Sequence, residues 1–175
     1  MDLFPRLPQK VRVFVTAILL VFCAGIGSLA AQPSVLLVHS YHDGYRWTRT
    51  LDRTLKAEIR EDFPETEFFV EYMDSKRHSV ETIAESFVEL LRTKYADRDL
   101  DIVAVTDNPA LELVLSSREE LFGTTPVVFS GINDYRPGEY EQHQNLTGIA
   151  ERPDIAGTVE IALELHPEAE RLVGI

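Results

Sequence analysis

The sequence predicts an α/β fold: a parallel sheet with helices on both faces. Three observations carry this. Four short apolar runs, Val35–Val38, Phe68–Val70, Ile102–Val105 and Val127–Phe129, recur along the chain. They are continuous rather than alternating, as strands buried on both faces are. Amphipathic segments separate them, which implies right-handed crossovers between parallel strands. Polar and aromatic residues gather where each run ends: His39-Ser40-Tyr41-His42, Tyr72-Met73-Asp74, Thr106-Asp107-Asn108 and Ser130-Gly131-Ile132-Asn133. Open parallel sheets bind ligands outside the carboxyl ends of their strands, so these four clusters mark the expected site.

Between the runs, Tyr45 to Phe63 reads as a helix with an apolar stripe of Trp47, Leu51, Leu55 and Ile59, closed by Pro64. Ser79 to Tyr95 is the most periodic segment. Val80, Ile83, Ala84, Phe87, Val88, Leu91 and Tyr95 share one face, with Glu81, Glu85, Glu89 and Arg92 opposite. Asn108 as N-cap and Pro109 at the first helical position open a third helix, expected to reach about Phe122 and end near Gly123. Asp134 to Asn145 reads as a loop, Leu146–Ile149 as a short fifth strand, and Asp154 to His166 as a further helix with Ile155, Val159, Ala162 and Leu163 on one face.

Residues 1–31 stand apart. Arg6, Lys10 and Arg12 precede an apolar stretch, Val13 to Gly25, and the small residues of Ser28–Ala31 follow. This is the layout of a secretory signal, or of an uncleaved membrane anchor. Either places the remainder outside the cytoplasm, a periplasmic location in a bacterium. Cys23 is the only cysteine, so that remainder has no internal disulfide, thiolate metal site or thiol nucleophile. The whole chain carries a formal net charge of −12. The leader holds three bases and one acid, which leaves −14 on the rest. Such a surface excludes nucleic acid as a partner, since that needs basic patches. At the other end, Arg171–Ile175 reads as the start of another strand, so the chain is expected to be a fragment of a longer protein. The expected organisation is a leader or anchor over 1–31, an α/β lobe over 32–150, and a crossover helix opening a second lobe over 151–175.

The chemistry of the strand-end loops narrows the function. No Gly-rich phosphate loop is present, because Gly44 and Gly131 stand alone, and no cofactor is expected. His39, His42 and Asp43 lie close in sequence, but no metal-ligand spacing frames them. Ser130 lacks the flanking glycine of a nucleophile elbow, with Phe129 before it, and Ser40 follows His39 directly, so the two point to opposite faces of a strand. An exported serine hydrolase built on either serine is the rival reading. Asp74 and Asp107 could accept hydrogen bonds from a ligand amine or hydroxyl, or serve the starts of the following helices. Trp47 belongs to the helix stripe and is expected in the core, whereas Tyr41 and Tyr45 lie in the loop and suit stacking on a ligand. Helix starts near Ser79 and Pro109 would favour a ligand carboxylate.

Taken in order, the segments Leu37–Thr48, Val70–Arg77, Thr106–Leu111 and Pro126–Asn133 resemble the ABC-transporter substrate-binding-protein-like family, of type I periplasmic binding fold. Similar segments form the extracytoplasmic sensor regions of bacterial sensor histidine kinases and diguanylate cyclases. The resemblance runs from Ser34 to the C-terminus. It implies two α/β lobes closing on a small solute, of which this chain holds the first and the beginning of the second. Relatives take varied ligands, amino acids among them, and the ligand expected here is a small molecule such as an amino acid or other small carboxylate. It implies contacts from Ser40, Tyr41, Asp74, Asp107, Asn108, Ser130 and Asn133, to which the loop reading adds Tyr45. The expected function is non-enzymatic solute recognition, read by signalling domains of the same polypeptide or by a membrane permease. A third reading has the segment bind nothing and only dock to a partner.

Overall fold

A computed structural model of the chain describes residues 32–133, 135–171 and 173. The expected leader over 1–31 lies outside the described residues, as does most of the expected terminal strand at 171–175. The molecule is an α/β domain built on one all-parallel sheet of five strands: β1 (Ser34–His39), β2 (Glu67–Tyr72), β3 (Ile102–Thr106), β4 (Val127–Ile132) and β5 (Leu146–Ala150). The spatial order is β2-β1-β3-β4-β5. The chain leaves β1 toward one edge and then crosses back, so β1 and β3 flank the topological switch point.

Strand parity assigns each side chain to a face. On one face Val35, Leu37 and Ala104 pack with Leu55 of α1 (Arg46–Asp62). On the other, Leu36, Val38, Val103, Val105 and Phe129 meet Phe87 and Leu91 of α2 (Val80–Tyr95), Leu111 and Val114 of α3 (Asn108–Ser116), and Leu121 of α4 (Arg118–Leu121). Leu36, Leu91 and Leu111 are wholly buried. Each such leucine contributes about 1.5–3 kcal/mol relative to exposure. This second face holds most of the core.

Three expectations need correction. The helix from Asn108 does not run unbroken to Phe122; it stops at Ser116 and restarts at Arg118. The side chain of Arg118 is buried and donates to the carbonyls of Thr125 and Asn145 at 3.0 and 3.3 Å, which ties the second helix to the starts of β4 and β5. The loop after β4 contains a short helix, α5 (Pro137–Tyr140), where Tyr135 and Tyr140 stack with ring centroids 5.1 Å apart. The third correction is Trp47, which is 43% exposed. It sits in the first turn of α1, above the strand ends. The stripe that meets the sheet begins one residue later, at the buried Thr48, and continues through the half-buried Leu51, Asp52, Leu55 and Ile59.

The last helix, α6 (Ile155–Leu165), starts as expected, with Asp154 as N-cap accepting the Gly157 amide at 2.9 Å. No residue of it is buried. No described helix is long and apolar enough to cross a membrane.

Candidate functional site

The carboxyl ends of β1 and β3 carry the most constrained groups. Ser40 follows β1 and has the parity of Leu36 and Val38, so its side chain turns into the main core. It is fully buried. Its hydroxyl donates to the Thr106 carbonyl at 2.7 Å and accepts the Ala110 amide at 2.8 Å. Its carbonyl accepts both the amide and the hydroxyl of Ser75, at 2.9 and 2.7 Å. Ser40 therefore joins the loops after β1, β2 and β3 to the start of α3. Its donor is used within the fold.

His39 faces the other way. Its Nδ1 lies 3.0 Å from Thr106 Oγ1 and its Nε2 lies 3.4 Å from Asp52, which also pairs with Lys56. Burial lowers its pKa, the Asp52 carboxylate opposing that shift. The ring stacks on Tyr72 at 5.2 Å. The partners of its two ring nitrogens are thus Thr106 and Asp52, not Ser40 or Ser130. Among the described residues no group of three or more His, Cys, Asp or Glu side chains is arranged to hold a metal ion.

Asp107 follows β3 with φ 66° and ψ 160°. This left-handed extended region is almost confined to glycine and costs about 1–3 kcal/mol. It makes Asp107, not Asn108, the residue at the N-cap position, although its side chain makes no capping bond. The backbone is held by its amide, which donates to the Ser130 carbonyl at 2.9 Å. Asn108 turns instead toward β4: its Nδ2 donates to the Asn133 carbonyl at 3.1 Å and its Oδ1 accepts the Asn133 amide at 3.0 Å. The Asn108 side chain thus clamps the loop after β4 through the backbone of Asn133, whose own side chain is exposed. Gly131, at φ 71°, supplies the irregularity where the β4–β5 register shifts, and a Cβ there would lie 3.5 Å from Asp107 Oδ1. Ser130 itself is half-buried on the α1 side of the sheet.

A cavity of about 250 Å³ opens over these ends, lined by Tyr41, Tyr45, Trp47, Lys76, Asp107 and Glu151. Tyr41 and Tyr45 meet edge to face with centroids 5.2 Å apart. The Lys76 ammonium lies 4.5 Å from the Tyr41 ring centroid and 5.7 Å from that of Tyr45. Glu151 is placed by its amide, which donates to the Ile132 carbonyl at 2.8 Å just beyond β5. Asp107 is only 5% exposed, and its Oδ2 has no hydrogen-bond partner. Burial, and then the Glu151 charge, push its pKa up to about 6, with hydrogen bonds from Thr106 and Tyr41 and then the Lys76 charge acting against them. Burial and the Asp107 charge push the Tyr41 hydroxyl up to about 12, so it stays protonated and a donor.

Of the residues expected at the site, Tyr41, Tyr45 and Asp107 come together in this cavity, while Ser40, Asn108 and Asn133 serve as its framework. Asp74, with φ 60°, sits two residues before Lys76 and pairs with Arg77 at 3.3 Å. Sequence reasoning passed over Lys76 and Glu151, and it put Trp47 in the core. No protein-family model matches the chain, and neither the curated proteins nor the solved structures contain a match to it.

Proposed function

We propose that this domain recognises a small solute without transforming it, as the extracytoplasmic sensing region of a membrane signalling protein. One observation carries the reading. A small aromatic-lined cavity with convergent charged groups lies at the carboxyl ends of β1 and β3, the switch point of a parallel sheet. Its walls offer stacking surfaces and a few directed polar groups. The strained Asp107 backbone at its floor is the kind of outlier that gathers at ligand sites. Together with the loop resemblance, this favours a binding protein of the type I periplasmic class over a hydrolase.

In this reading a second lobe closes over the open side of the cavity, and the ligand shifts an open–closed equilibrium that a partner detects. An importer permease would be the partner if the domain served transport. The acidic surface makes nucleic acid an unsuitable partner.

The test is a thermal-shift screen of the chain without its leader against amino acids, amines and small carboxylates, followed by calorimetry of any hit. A solute at a hundred times its Kd adds about 2.7 kcal/mol of stability. The hit must lose affinity in Asp107→Ala. If no solute raises the melting temperature, the recognition reading falls and a docking role takes its place. Loss of uptake of the same solute on gene deletion would assign the domain to import rather than sensing.

A further inference from the structure

The charge pattern of the cavity is asymmetric. Two carboxylates, Asp107 and Glu151, line it together with three aromatic rings. One cation, Lys76, shares the space, and among the described residues it forms no ion pair with either carboxylate. It is held over ring faces instead, at 4.5 and 5.7 Å from two tyrosine centroids. Ring faces carry negative potential, and an ammonium over them is stabilised by about 0.5–1 kcal/mol at exposed sites and more when desolvated. The lysine side chain is itself exposed and flexible, so its head can leave without disturbing the core. An aromatic corner backed by two acids is a receptor for a cation, and here the chain's own cation occupies it.

We propose that Lys76 is a resident stand-in for the ammonium group of the ligand, and that the cavity takes a small organic cation, a primary or methylated amine, which displaces the Lys76 head from Tyr41 and Tyr45. The proposal rests on the solute-recognition reading and narrows it to a substrate class. The lysine then acts as a competitor built into the site. Its departure leaves the faces of Tyr41 and Tyr45 and the carboxylates of Asp107 and Glu151 to the incoming amine. A ligand that instead used Lys76 as counter-ion for a carboxylate would depend on it, so the sign of the Lys76 effect separates the two.

The experiment is calorimetric titration of the wild-type chain and of Lys76→Met with tetramethylammonium chloride and n-butylammonium chloride, with sodium butyrate as the oppositely charged probe. Retained melting temperature of the variant confirms its fold. The expected result is that Lys76→Met binds both cations at least fivefold more tightly than the wild type, and that adding Tyr41→Ala removes the gain. In the wild type, the ε-methylene protons of Lys76 are shifted upfield by the tyrosine rings, and saturating tetramethylammonium returns them to ordinary positions. Cation binding unchanged or weakened in Lys76→Met overturns the proposal. So does butyrate binding that the wild type has and the variant loses, an outcome that leaves solute recognition standing. No binding of any probe to either protein overturns it as well, and joined to a blank thermal-shift screen removes the recognition reading with it.

Discussion

The hydroxyl of Ser40 accepts the amide of Ala110 at 2.8 Å while donating to the carbonyl of Thr106 at 2.7 Å. One buried oxygen thus satisfies an amide in the first turn of α3 from a neighbouring strand, a service that helices usually receive from their own N-cap. Asp107, at the cap position, makes no such bond.

Ser40→Ala is expected to destabilise the fold by about 1–3 kcal/mol, because the Ala110 amide is left buried without a partner. Urea denaturation followed by far-ultraviolet circular dichroism measures this. A hydrolase using Ser40 would lose ester turnover in the same variant at unchanged stability.

Trp47→Ala tests the exposed placement of that residue. A core tryptophan replaced by alanine costs about 3–5 kcal/mol. Exposed as it is, Trp47 should cost no more than about 0.5 kcal/mol. The loss should fall on affinity for whatever solute the screen identifies. A drop of several kcal/mol in the unfolding free energy would return Trp47 to the core.

The pH dependence of stability should carry a signature of Asp107. Its carboxyl moves from an ordinary value of 3.8 when unfolded to about 6 in the fold. The folded state holds the proton more tightly, so the contribution is fully present below about pH 4 and is lost as pH rises through 6. The full swing is on the order of 2–3 kcal/mol. Asp107→Asn should remove it. Subtracting the variant's stability curve from the wild type's between pH 4 and 7.5 should leave a downward slope centred between 4 and 6; a flat difference would show that Asp107 is not perturbed.

Gly131→Ala should destabilise by about 1–2 kcal/mol, since φ 71° is costly for a residue with a Cβ. The added methyl would make only an ordinary contact with Asp107 Oδ1, at 3.5 Å. The cost is therefore one of backbone conformation, and Gly131→Asn, better tolerated in that region, should recover part of it in chemical denaturation.

The strands and the three long helices were legible because continuous apolar runs and a 3.6-residue period are what burial itself imposes. The end of the sheet that holds the cavity was legible for the same reason. What escaped was the direction of single side chains. The inward turn of Ser40 follows from its parity with Leu36 and Val38, a signal present in the sequence. Trp47 satisfied the helix period yet lay one residue before the stripe that meets the sheet. The shift of the cap from Asn108 to Asp107 required the positive φ, which sequence patterns do not favour for aspartate. Lys76 and Glu151 carry no local signal, because charged loop residues look alike until a fold brings positions 75 residues apart to one cavity.

Trp47 is the chain's single tryptophan, and it is in the cavity wall rather than the core. The protein therefore carries one indole among its fluorescent side chains, stationed where an incoming molecule would shield it from water. Emission excited at the indole band is placed to report on occupancy, since a solute stacking there would shift or quench it. The domain is its own optical sensor, and a plain fluorescence titration needs neither label nor partner.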